Sequence, residues 1–137
     1  MARVRVTRRV HFSAAHRLSN PKLSDAENER LYGLCSNANW HGHNYELDVT
    51  VEGEIDPETG YVLDLKRLRE ITEEVVIDDL DHRNLNLDVS WLDGVIPSTE
   101  NLVVAIWNRL STEIPDGSLV RLVLWETPRN SVEYTGE

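Results

Sequence analysis

Two long alternating runs, each with histidine at one end, constrain this chain more than anything else in it. Over residues 3–17, Val4, Val6, Val10, Phe12, Ala14 and His16 share one parity, and Arg3, Arg5, Thr7, Arg9, His11, Ser13 and Arg17 the other. Over residues 41–55, His41, His43, Tyr45, Leu47, Val49, Val51 and Ile55 share a parity with Gly53, against Gly42, Asn44, Glu46, Asp48, Thr50 and Glu52. Period two is the signature of a strand with one buried and one wet face. If the runs pair antiparallel, the end of the first meets the start of the second. His16 then lands beside His41 and His43 on the apolar side. Three imidazoles at one point suit a metal, because a catalytic zinc takes three protein ligands and keeps one position open. The competing reading is three packed, hydrogen-bonded core histidines, and their convergence favours the metal. An all-imidazole set with no second sulfur nearby favours zinc over softer or redox ions. His11, on the polar parity, needs no functional explanation.

The remaining elements follow from punctuation and period. Ser24 with Glu27 reads as the capping box of a short helix inside an otherwise irregular connection over 19–40. Such a long connection in a compact domain is usually functional. Asp56–Gly60 is a turn. Asp64 caps a helix running to about Asp79, with Leu65, Leu68, Ile71, Thr72, Val75 and Val76 inward. A second long helix starts at Pro97-Ser98-Thr99-Glu100, with Leu102, Val103, Ile106, Trp107 and Leu110 inward. Leu119–Thr127 reads as a third strand, with Val120, Leu122, Leu124 and Glu126 in phase, and Val132–Tyr134 as a fourth. The order ββααββ predicts an α+β domain, a four-stranded antiparallel sheet with two helices on one face. Residues 1–137 are one domain of ordinary size.

Charge and cysteine usage exclude some partners. Net charge is −10, from 24 acidic and 14 basic side chains. That argues against nucleic acid or an anionic membrane surface. A polyanionic substrate would need a local cluster of cations or a metal; Arg17, Lys22 and Arg30 are candidates. No apolar run reaches membrane-span length, no signal-peptide pattern opens the chain, and a lone cysteine fits a reducing compartment. The expected location is the cytoplasm.

Further side chains carry chemistry. Cys35 precedes His41 by six positions, in a polar loop. It can serve as a fourth ligand, closing the metal site, or as a free thiol that a neighbouring cation makes acidic enough to act as base or nucleophile. Asp81-His82 follows a helix end. The carboxylate can orient the imidazole, as in nucleophile–base–orienter arrangements, or the histidine can simply complement the helix dipole. Glu126, in phase with aliphatic residues, must be paired, protonated or bound to something, since an unpaired buried charge is costly. A ring presenting adjacent N–H donors, such as an amino-pyrimidinone, would satisfy it. Thr99, in the first turn of a helix, can assist or merely cap.

These pieces together resemble the 6-pyruvoyl-tetrahydropterin synthase family. The resemblance is carried by Phe12-Ser13-Ala14-Ala15-His16-Arg17-Leu18, Leu31-Tyr32-Gly33-Leu34-Cys35 and His41-Gly42-His43-Asn44-Tyr45. It continues in Gly53-Glu54-Ile55-Asp56-Pro57, Leu80-Asp81-His82-Arg83-Asn84-Leu85-Asn86, Ser98-Thr99-Glu100-Asn101, Glu126-Thr127 and Tyr134-Thr135-Gly136-Glu137. The resemblance implies a tunnelling fold, in which three subunits close a β-barrel and two trimers stack as a homohexamer with active sites between subunits. It implies zinc on His16, His41 and His43, and Cys35 as the general base. Asp81 and His82 would be its catalytic partners from a neighbouring subunit, and Glu126, helped by Thr99, would anchor the pterin. The implied reaction is zinc-dependent elimination of triphosphate from 7,8-dihydroneopterin triphosphate, giving 6-pyruvoyl-tetrahydropterin for tetrahydrobiopterin biosynthesis. Two alternatives stand beside it. One is 6-carboxy-5,6,7,8-tetrahydropterin synthase of queuosine biosynthesis, on the same substrate. The other is a zinc-stabilised module that binds a pterin without turnover. The spacing of Cys35 from His41 matches the pyruvoyl-type pattern. Trp40 departs from it, where that pattern has glycine.

Overall fold

The computed structural model describes residues 2–137. Strand β1 spans Arg3–His16, helix α1 Asp25–Tyr32 and strand β2 His41–Glu54. A continuous helical stretch follows as α2 (Leu65–Thr72), a π-helical turn (Glu73–Ile77) and α3 (Asp78–Leu80). Then come the two-residue strand β3 (Arg83–Asn84), helix α4 (Thr99–Leu110) and strands β4 (Ser118–Thr127) and β5 (Asn130–Tyr134). Among the described residues the five strands form one sheet in the order β3-β1-β2-β4-β5. No helix among them is long and apolar enough to cross a membrane.

The two alternating runs pair without interruption, from Arg3 opposite Glu54 to His16 opposite His41. Their apolar parity buries Val10, Phe12, Ala14, Tyr45, Leu47, Val49 and Val51. Their polar parity carries cross-strand pairs. Arg9 holds Asp48 at 2.7 and 3.0 Å and Glu46 at 2.8 Å, and the hydroxyls of Thr7 and Thr50 meet at 2.8 Å. Both long helical stretches close over the apolar face. Leu68, Ile71, Thr72 and Val76 come from one side, and Leu102, Val103, Ile106 and Leu110 from the other. Helices α1, α2 and α4 each start where a cap predicts. Ser24 and Glu27 form the capping box of α1, Asp64 accepts the Lys66 N–H at 2.9 Å, and Ser98 accepts that of Asn101 at 3.2 Å.

Three expectations need correction. The sheet has five strands and not four, and β3 runs parallel to β1, pairing Ala14 with Arg83 and Ala15 with Asn84. A two-residue strand has no alternation to read. It is set by backbone bonds, from the His82 N–H to the Ser13 carbonyl at 2.6 Å and from Leu85 to Ala15 at 2.8 Å. In β4 the register against β2 slips by one residue between Thr50 and Val51. The bulge brings Leu119 inward and leaves Val120 half-buried. In the helical stretch the π turn advances the phase, so Val76, Ile77 and Leu80 are buried together; Leu65, the first residue of α2, is exposed instead of inward.

Candidate active site

The strand register brings the three histidines together. His16 faces His41 directly, and His43 faces Ala14 one pleat further along the same side. Ring centroids lie 4.5 Å apart for His16 and His41, 5.1 Å for His16 and His43, and 4.9 Å for His41 and His43. One ligand nitrogen from each falls within 4.8 Å of the others. His16 is completely buried, and its Nδ1 lies 2.8 Å from the carbonyl of Pro97. A carbonyl only accepts, so Nδ1 donates and Nε2 keeps its lone pair for an ion. His16 Nε2, both nitrogens of His41 and His43 Nε2 are buried with no hydrogen-bond partner. Desolvation pushes the His16 and His41 imidazoles below their ordinary range. Unpartnered, buried nitrogens converging at one point fit a metal and leave a packed-core role unsatisfied. Tyr45 floors the pocket, stacked on Phe12 at 4.8 Å with its hydroxyl 3.4 Å from His16 Nδ1. Burial holds its phenol far above the ordinary range, so it stays protonated.

Glu126 sits beside this pocket near the end of β4. A register shift between Trp125 and Thr127 takes it out of the ladder with β5. Its Oε2 accepts the Thr99 hydroxyl at 2.7 Å and lies 3.9 Å from His16 Nε2, while Oε1 lies 4.0 Å from His43 Nε2. The side chain lines an open cavity of about 500 Å³ with Arg9, His43, Asn44, Trp125 and Thr127. The two residues expected to hold a ring therefore meet each other, next to the histidines.

Cys35 stands in a 3₁₀ turn, Gly33–Ser36, half-buried. It is not a member of the group of mutually close ligand atoms, which comprises the three histidines. Of the two roles open to it, fourth ligand and free thiol, the geometry favours the thiol. Asp81 and His82 are paired as expected. Asp81 Oδ1 accepts the Ser13 N–H at 2.9 Å, and Oδ2 lies 3.0 Å from His82 Nδ1. The Ser13 bond, more than the imidazole, holds Asp81 below the usual carboxylate range. His82 has a left-handed backbone, φ 60°, and its side chain is 83% exposed. It lines a second cavity of about 520 Å³ with Ser13, His43, Asn44 and Arg83. Cys35 is not among the residues that line that cavity.

Of the three cations considered for a polyanion, Lys22 and Arg30 are exposed and line neither cavity beside the histidines. Arg17 instead donates from Nε to the Ser36 carbonyl at 2.8 Å. Trp40, the departure before His41, occupies the left-handed region with φ 68°. Glycine enters that region freely, whereas a side chain there costs roughly 1–2 kcal/mol. Sequence reasoning passed over the Pro97 carbonyl and treated Tyr45 only as core. A backbone acceptor carries no residue-type signal, but the parity of Tyr45 with His41 and His43 already placed it on their face.

With that geometry in hand, comparison with known proteins is decisive. Residues 5–137 match the family model described as 6-pyruvoyl tetrahydropterin synthase. The chain belongs to that family. Membership makes it an enzyme, a lyase. It is 50% identical over 132 residues to the 6-pyruvoyl tetrahydrobiopterin synthase of Pongo abelii, covering 96% of this chain and 91% of that one. A solved structure of Caenorhabditis elegans 6-pyruvoyl tetrahydropterin synthase superposes with a TM-score of 0.94 at 40% identity, over 100% of this chain and 98% of that one. The likeness also reaches a Pyrococcus furiosus protein named dihydroneopterin monophosphate aldolase, 37% identical over 96% of both chains.

Proposed function

We propose that this chain is a zinc-dependent 6-pyruvoyl-tetrahydropterin synthase acting on 7,8-dihydroneopterin triphosphate. The observation that carries the reading is the cluster of unpartnered imidazole nitrogens 3.9 and 4.0 Å from a carboxylate that Thr99 holds in place. That arrangement offers a metal position and a pterin anchor side by side. Glu126 accepts the adjacent N–H donors of the pterin ring, with Thr99 fixing the rotamer of its carboxylate. His16, His41 and His43 hold the ion, which when bound supplies Lewis acidity toward the side-chain hydroxyls of the substrate. Cys35 moves the proton at the side-chain carbon. The Asp81–His82 pair from a neighbouring subunit shuttles protons as triphosphate leaves and the side chain rearranges to the diketone.

The outward, 83% exposed side chain of His82 supports sites shared between subunits. So does the surface around the thiol, where Leu34 is 89% exposed. The assembly proposed is a homohexamer, a dimer of trimers in which three sheets close a barrel, in the cytoplasm.

The test is incubation of the zinc-loaded protein with dihydroneopterin triphosphate, with products identified by mass. The expected outcome is release of triphosphate and formation of 6-pyruvoyl-tetrahydropterin, abolished in Cys35→Ala while zinc content persists. A carboxylated pterin with acetaldehyde would identify the queuosine-type activity and overturn the reading. Aldol cleavage of dihydroneopterin monophosphate, as the name of the Pyrococcus furiosus relative describes, would also overturn it. Binding without turnover would leave only a pterin-binding module.

A further inference from the structure

The segment carrying Asp81 and His82 and the turn carrying Cys35 hang from the same few residues at the end of β1. On one side, the Ser13 carbonyl accepts the His82 N–H at 2.6 Å and that of Ala15 accepts the Leu85 N–H at 2.8 Å. Asn86 then grips the Arg17 backbone twice. Its Nδ2 donates to the Arg17 carbonyl and its Oδ1 accepts the Arg17 N–H, both at 2.9 Å. Asn86 is itself steadied by its own N–H donating to Asn84 Oδ1 at 2.9 Å. On the other side, the Leu18 N–H donates to the Cys35 carbonyl, and Arg17 Nε to the Ser36 carbonyl, each at 2.8 Å. The cysteine turn is also held at its start by the Gly33 N–H donating to the Glu29 carbonyl of α1, and within itself from Ser36 Oγ to the Gly33 carbonyl at 2.9 Å and from the Asn37 N–H to the Leu34 carbonyl at 3.1 Å. Arg17 therefore touches both segments of its own chain, with its backbone on the one that carries Asp81 and His82 and its side chain on the cysteine turn. It is also the immediate neighbour of His16 in the chain.

We infer that Arg17, clamped by Asn86, is a positioning residue whose guanidinium sets where the Cys35 turn stands relative to His16. The inference rests on the reading of Cys35 as the proton-transferring thiol. It also weighs against Arg17 as a holder of triphosphate. Its Nε is committed to Ser36, and Asp25 and Glu29 line the same cavity of about 340 Å³. Two carboxylates there would repel a polyanion.

The experiment uses the zinc-loaded full chain and the variants Arg17→Lys, which keeps the charge and loses the forked donor, and Asn86→Asp, which keeps the shape and loses Nδ2. Thermal melts identify any variant that is unfolded, and the second variant then decides. The expected result is a fall in kcat of about 10- to 100-fold, with KM and zinc stoichiometry nearly unchanged. Cys35 should also be alkylated by iodoacetamide several-fold faster, as the turn loosens. A large rise in KM with unchanged kcat and unchanged alkylation would make Arg17 a phosphate ligand and overturn the inference. Retained turnover in Cys35→Ala would defeat the base assignment instead. The alkylation contrast between wild type and Arg17→Lys would still decide whether Arg17 holds the turn.

Discussion

At the scale of single residues, burial and one backbone acceptor shape the two histidines that face each other across β1 and β2. His16 donates through Nδ1 to Pro97, and burial depresses both it and His41. A histidine whose folded pKa lies below its unfolded value of 6.5 binds fewer protons when folded than when unfolded. Stability then falls as pH drops below that value. Melts of the metal-free protein should show Tm declining on acidification below pH 6.5, and replacing His16 and His41 together by glutamine should flatten that slope. Glu126 is the other residue with a sharp expectation. Glu126→Gln removes the charge that would pair with two ring N–H donors, worth about 1.5–3 kcal/mol for hydrogen bonds to a charged group. KM for the pterin substrate should rise by about 10- to 100-fold at unchanged zinc content, measured by steady-state kinetics and metal analysis. An unchanged KM would remove Glu126 from the anchor role. Much of this was legible in the chain, since parity alone brings His16 to His41 and marks Glu126 as a carboxylate on an apolar face. What parity cannot show is a backbone acceptor 81 positions away, the Pro97 carbonyl that selects the tautomer.

At the scale of elements, local chemistry decides most boundaries, and tertiary contacts decide the rest. Ser24, Asp64 and Ser98 each cap the helix they were expected to start. Asp64→Ala should cost about 1 kcal/mol, read as a drop in the denaturation midpoint with an unchanged slope. The π turn, the slip in β4 and the two-residue β3 were not legible. Each departs from a fixed period by one residue or is too short to have one. The loop into β2 gives the most pointed expectation at this scale. Trp40 holds φ 68° immediately before His41. Trp40→Gly should relax the backbone and stabilise the protein by about 1 kcal/mol, raising Tm by a few degrees. A lower Tm would mean that packing of the half-buried indole outweighs the backbone cost. At the opposite end of the sheet, Gly117 turns the chain into β4 at φ 77°, and an added Cβ would come within 2.7 Å of the Glu52 carbonyl oxygen. Gly117→Ala should therefore destabilise by more than about 1 kcal/mol, visible in the same denaturation assay.

For the whole molecule, the fold class and the face covered by helices follow from the order of elements and their periods. Assembly does not follow, because a single chain shows only what it leaves uncovered. The proposed hexamer predicts a native mass six times that of one chain by light scattering. A persistent monomer with full turnover would contradict shared sites. The exposed imidazole of His82 offers a second way to see assembly. His16 is buried in its own chain, whereas His82 can be sheltered only by another. A carbethoxylating footprint read by mass spectrometry should mark His82 heavily in dilute, dissociated protein and spare it at concentrations where subunits associate, with His16 unmarked throughout. The same residue proposed to move protons in the finished enzyme would then serve, during its making, as a chemical clock for the meeting of its subunits.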